Sequence, residues 1–170
     1  MQPTSRNWRR LLACVALAGA CTATLAATPG QPAPALELPG LQGNVSLAAA
    51  KGKVVYVDFW ASWCGPCRQS FPWMNEMQAK YGARGFQVIG VNVDAKREEA
   101  DKFLAQTPAR FTVAFDVKGE SPRAYAIKGM PTSVLVGADG TVLQQHSGFR
   151  DEERRALEDA IVAALAKAGR

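Results

Sequence analysis

The chain has 170 residues, 48% of them hydrophobic and 21% charged, which suits one compact domain with a substantial core and is too short for two ordinary ones. Its net charge of +5 does not mark a polyanion binder. Arg6, Arg9 and Arg10 fall in the first ten residues, and without them the balance is only +2; no basic stripe with interleaved aromatics follows, so no nucleic-acid partner is expected.

The basic stretch ends at Arg10, and Leu11 to Ala26 carries no charge. Thr24-Leu25-Ala26 then offers a small-x-small cleavage site. Residues 1–26 are expected to be an export signal, leaving 27–170 as the mature domain in the periplasm. A retained inner-membrane anchor facing the periplasm is the alternative, although a spanning helix needs about 20 apolar residues and this stretch is shorter. Lipid attachment at Cys21 is a third reading; Ala18 stands where the usual lipobox has leucine. Processing would discard Cys14 and Cys21 and leave Cys64 and Cys67 alone. So short a loop removes little unfolded-state entropy, and in an oxidising compartment such a pair points to catalysis rather than to a structural disulfide.

Four prolines between Thr28 and Pro39 predict an extended lead-in. Leu36-Glu37-Leu38 and Asn44 to Leu47 are short alternating pieces, suited to a hairpin or edge strands. Lys53 to Trp60 is rich in β-branched and aromatic residues and predicts a buried strand. After the cysteine pair, Phe71, Met74, Met77 and Tyr81 fall on one helical face; Pro72 should kink that helix, and Gly82 and Gly85 end it. Phe86 to Val93 is a second apolar strand, Lys96 to Gln106 an amphipathic helix, and Phe111 to Phe115 a short strand. Ser121 to Ile127 predicts a short helix. Ser133 to Val136 and Val142 to His146 form an antiparallel pair about the Asp139-Gly140 turn. A last helix opens near Asp151 and carries an apolar stripe through Leu157, Ile161, Ala164 and Leu165. The fold class is therefore α/β, a mixed sheet covered by helices.

Cys64 follows a buried strand and stands where the next helix begins. Unpaired backbone N–H groups and the helix dipole favour a negative charge there, so this thiol should ionise readily and act as nucleophile. Cys67, about one turn on, is placed to resolve the mixed disulfide. Pro66 fixes φ in the first turn at no hydrogen-bond cost, and Gly65 leaves the approach to Cys64 open. Zinc would need four ligands, and this pair supplies two. The sole histidine, His146, reads as a half-exposed strand residue, and Trp73 as a surface or substrate-side aromatic. No cofactor or metal is expected.

Val57-Asp58-Phe59-Trp60-Ala61-Ser62-Trp63-Cys64-Gly65-Pro66-Cys67 resembles the active-site strand and loop of thioredoxin, and Met130-Pro131-Thr132 resembles its cis-proline loop. The Pro-rich lead-in and the extra Lys96–Gln106 and Phe111–Phe115 elements make the chain more similar to the TlpA-like and ResA-like branch. The resemblance, over roughly Ala33 to Leu165, implies a thioredoxin-like fold for the 27–170 domain, with a short N-terminal β extension and a helix–strand insertion. It further implies a cis Pro131 facing Cys64, with the backbone of Met130 pairing with substrate, and Trp63 as an apolar shelf beside the thiols. Asp58, odd within an apolar strand, would be a buried acid that takes the proton of Cys67. Ser70 stands where several ResA-like members carry glutamate, so no mechanism through a second acid is expected. The implied activity is reduction of a disulfide-containing client protein, with cytochrome c maturation as a candidate pathway and recharging by a membrane thiol-transfer reductant. The alternative function is a periplasmic copper chaperone, since two thiolates suit Cu(I).

Overall fold

The computed structural model describes residues 27–170. The export-signal reading, the Cys21 lipidation site and Cys14 fall on residues 1–26 and so lie outside the described residues.

The centre of the molecule is β3 (Val54–Trp60), all seven of whose residues are buried. Because side chains alternate along a strand, it feeds two cores. Tyr56 and Trp60 face the packing of α1 (Gly65–Tyr81) and α4 (Arg154–Lys167). Val55, Val57 and Phe59 face the other side, with Leu36 of the lead-in and Tyr125. Strand β4 (Phe86–Asn92) runs parallel to β3, with Val54 opposite Phe86 and Trp60 opposite Asn92. Parallel neighbours need a crossover, and α1 supplies it.

A second crossover, α2 (Arg97–Gln106), brings β5 (Thr112–Phe115) parallel to β4. This is the expected helix–strand insertion. The N-terminal extension is a hairpin of β1 (Glu37–Gly40) and β2 (Gly43–Ser46), and β1 joins β5 at Gly40, opposite Ala114. Glycine is required at that junction: a Cβ on Gly40 would lie 2.6 Å from Val45 Cγ2 and 2.9 Å from the Val113 carbonyl. On the other side, β6 (Thr132–Val136) is antiparallel to β3, and β7 (Val142–Ser147) returns antiparallel to β6. The sheet order is β2-β1-β5-β4-β3-β6-β7, a mixed sheet with helices over both faces, as the fold class requires.

Three local expectations shift. The short helix α3 covers Glu120–Ala124 rather than Ser121 to Ile127, and Ala126 has a positive φ of 53°. The last helix opens as a 3-10 turn over Asp151–Glu153 before α4 begins at Arg154. Trp73 is neither surface nor substrate-side: it is buried, edge-on to Tyr56 at 5.5 Å between ring centroids and tilted against Phe149 at 5.6 Å. It lies four residues before Met77, so the buried stripe of α1 is wider than the four positions that announce it. Pro72, one position earlier, is exposed, and α1 continues past it to Tyr81.

Candidate active site

Strand β3 ends at Trp60, and Ala61, Ser62 and Trp63 carry the chain into α1. Cys64 is the N-cap of that helix. Its backbone is extended (φ −86°, ψ 103°), and its Sγ accepts the backbone N–H of Cys67 at 3.2 Å. One of the helix's unpaired N–H groups is thus satisfied by the sulfur itself, as an oxygen would do in an ordinary cap. Pro66 occupies the first turn without forfeiting a hydrogen bond. Cys64 and Cys67 are joined by a disulfide with their Cα atoms 5.3 Å apart. Both are buried, Cys67 completely.

Around them the surface is asymmetric. Trp63 is 72% exposed, and Gly65 and Pro66 are exposed beside it. The antiparallel register sets Thr132 opposite Phe59, which brings the preceding Met130-Pro131 turn to the end of β3 from which Cys64 emerges. The Met130–Pro131 peptide is cis. That turn is held by Thr132 Oγ1, which donates to the Gly129 carbonyl at 2.7 Å, and by the Gly148 N–H, which donates to the Pro131 carbonyl at 2.8 Å. Met130 is half-buried against the core cluster that contains Cys64. The structure thus brings Trp63, Cys64, Gly65, Pro66, Cys67, Met130 and Pro131 to one end of the sheet.

Asp58 lies deeper, on the face of β3 shared with Tyr56 and Trp60, against which Cys67 and Phe71 pack. It is buried, and its Oδ2 has no hydrogen-bond partner. Burial holds its carboxyl well above the usual range. The Tyr56 phenol is also raised, first by burial and then by the neighbouring Asp58 charge, with the Ser133 side chain acting the other way. Ser70 is buried and donates to the Cys67 carbonyl at 3.0 Å.

One contributor has no sequence motif to announce it. Asp94, buried just after β4, accepts from the Ser62 N–H at 2.9 Å, from the Ser62 hydroxyl at 3.0 Å and from Asn92 Nδ2 at 2.7 Å. It ties the loop before Cys64 to the neighbouring strand. The only available signals were an acid closing an apolar strand and a serine two residues before the first cysteine. His146 is half-buried with Nε2 3.3 Å from Glu153 Oε2. Among the described residues no three His, Cys, Asp or Glu side chains converge as a metal site. A cleft of about 840 Å³ does exist, but Lys53, Phe86 and Thr112 line it at the start of β3–β5, the end of the sheet opposite the disulfide.

The family model for Redoxin matches residues 28–161, which includes every one of these elements up to the middle of α4. The chain belongs to the Redoxin family. Among its relatives is the thiol-disulfide oxidoreductase ResA of Bacillus thuringiensis subsp. konkukian, 35% identical over 74% of this chain and 73% of the relative. Among solved structures, it is similar to a Chlorobium tepidum protein assigned as thiol:disulfide interchange protein DsbE. That match has 63% identity, a TM-score of 0.80, and covers 81% of this chain and 98% of the other. A thiol:disulfide interchange protein of the thioredoxin family from Chlorobium tepidum TLS is 29% identical over 83% and 99% of the two chains, with a TM-score of 0.71. This Redoxin is a thiol–disulfide oxidoreductase with a thioredoxin-like fold, and Cys64–Cys67 is its redox disulfide.

Proposed function

We propose that the chain is an exported reductase of protein disulfides, working in the periplasm by dithiol exchange and acting in cytochrome c maturation. The observation that carries the exchange is the capping of α1 by Cys64 Sγ: a thiolate formed there meets N–H groups and the positive end of the helix dipole. Cys64 thiolate attacks one sulfur of the client disulfide, and the client's other sulfur leaves as a thiol after taking a proton. Cys67 then gives its proton to the Asp58 carboxylate and attacks Cys64 Sγ, and the second client sulfur leaves as a thiolate that takes a proton from solvent. Two thiols of this chain become one disulfide; one client disulfide becomes two thiols. Trp63, Gly65 and Pro66 form the approach to Cys64, and the Met130 backbone beside Pro131 pairs with the client strand.

The reducing direction is supported by the Gly-Pro pair between the cysteines, which lacks a histidine to stabilise the thiolate state. Reduction must be renewed by a membrane thiol-transfer protein. Residues 1–26 are read as the export signal and 27–170 as the mature domain; among the described residues no helix is long and apolar enough to cross a membrane. For the copper-chaperone alternative, no three His, Cys, Asp or Glu side chains converge at the pair among the described residues.

The deciding experiment is trapping. Cys67→Ala, with Cys64 free, should accumulate a covalent complex with its client, identifiable by mass spectrometry together with the processed N-terminus. Should that variant hold no mixed disulfide while Cys64→Ala does, the roles of the two sulfurs are reversed.

A further inference from the structure

We propose that Ser133 and His146 are the proton outlet of Asp58, positioning residues that link the buried carboxyl behind Cys67 to solvent. The inference rests on the reading of Asp58 as the base for Cys67.

A buried acid that accepts a proton on every turnover must also release it, and Asp58 is 2% exposed. The strand register supplies a direction. Asp58 on β3 stands opposite Ser133 on β6, and Ser133 stands opposite His146 on β7. Directly opposed side chains share a face and have Cβ atoms about 4.5–5.5 Å apart, so the three form one row across the sheet. That row runs through a face otherwise packed by Val54, Leu135, Leu157 and Ile161.

Beside Ser133 and His146, the outer two members of the row, is a small cavity of about 10 Å³, lined also by Tyr56, Leu135 and Gln144 and closed by Leu157 and Ala160. This is the size at which a single water can be held, provided two to four polar groups surround it; the phenol, hydroxyl, amide and imidazole meet that condition. At the far end the His146 side chain is 22% exposed, and its Nε2 lies 3.3 Å from Glu153 Oε2, itself 20% exposed. An imidazole can take a proton on one nitrogen and release one from the other.

The charged and titratable neighbours are few. Asp58 shares its strand face with Tyr56, and Cys67 of α1 packs in the core cluster on that face; Gly90, opposite Asp58 on β4, offers no side chain. His146 faces Glu153, which Arg150 also holds, while Arg154 at the start of α4 turns to Phe149 and Asp151. The step adds no redox chemistry. The transfer from Cys67 to Asp58 is reversible until the proton passes on to His146 and then to solvent, so closure proceeds only as fast as the outlet clears the proton and restores the carboxylate. During re-reduction the proton travels back along the same row.

The test uses the full chain, reduced, and follows closure of the Cys64–Cys67 disulfide after mixing with excess glutathione disulfide in weak and in concentrated buffer. Asp58→Asn should slow closure by about a hundredfold, the scale of a lost general base. In weak buffer Ser133→Ala, His146→Gln and His146→Ala should each be slowed severalfold. Concentrated buffer should speed all three, and added imidazole should restore His146→Ala. Alkylation of Cys64 should match the parent in the Ser133 and His146 variants. If Asp58→Asn is slow but Ser133 and His146 variants close at the parental rate in weak buffer, the outlet is refuted and the base reading stands. A slowed His146→Ala that neither imidazole nor buffer restores reports a structural loss and refutes the outlet too. A parental rate in Asp58→Asn removes the base and the outlet with it.

Discussion

Asp58 is the residue whose position is hardest to explain by stability alone. Its carboxyl is buried and its Oδ2 unpaired, and burial raises its pKa. The sign of the consequence follows from proton linkage. The folded state holds this proton more tightly than the unfolded chain, whose aspartates titrate near about 3.9. As pH rises from there toward the folded value, folding must retain a proton that the unfolded chain has lost, so stability falls; above the folded value the whole penalty is present. The amide introduced by Asp58→Asn cannot ionise. That variant should melt several degrees above the parent at pH 8 to 9 in thermal scans, with the gain shrinking as pH is lowered toward about 4. A gain that is constant across this range would mean the carboxyl is not desolvated as described. The burial of Asp58 was legible in the sequence, because an acid with Tyr56 and Trp60 on its own face of an apolar strand has no exposed side to turn to. The row from Asp58 to His146 was not legible, since it exists only once the register of β3, β6 and β7 is fixed, and pattern alone leaves register open.

At the scale of elements, the site depends on how the loop before α1 is held. Ser62 is anchored through both its N–H and its hydroxyl to Asp94, which Asn92 also reaches. Asp94→Ala would leave the part-buried Ser62 N–H and the buried Asn92 amide without this acceptor, at a cost of roughly 1–3 kcal/mol for the buried amide. Chemical denaturation should show a loss of that order, and disulfide exchange should slow because Cys64 loses its fixed approach. Asp94→Asn, which keeps an acceptor oxygen, should recover part of both; equal losses in the two variants would contradict the anchoring role. The helices were readable where periodicity was strong. α1 and α2 fall within a residue or so of expectation, since their apolar positions and end signals agree. The opening of α4 was misplaced by three residues because Asp151, Glu152 and Glu153 suit a first turn equally well as 3-10 or α. Trp73 was misjudged for a different reason: it packs on Tyr56 and is covered by Phe149, supplied by a loop far along the chain, which no local pattern reveals.

For the whole molecule, the mixed sheet with its antiparallel N-terminal hairpin on one side and the β6–β7 pair on the other brings the cysteine loop and the Met130-Pro131 turn to a common end. The order of strands and helices was legible because each parallel step needs a crossover and the sequence supplies a helix at each. Which strand the hairpin would join was not, because it rests on one junction at Gly40. All of this architecture serves to present Cys64 at the head of α1, and the account is tested most directly there. Reduced protein should be alkylated with iodoacetamide across a pH series and the modified sulfur located by peptide mass. Cys64 should react first, with its reactivity half-maximal well below the value of about 8.5 typical of a free thiol. A Cys64 that titrates like free cysteine, or a Cys67 that is modified ahead of it, would contradict the account.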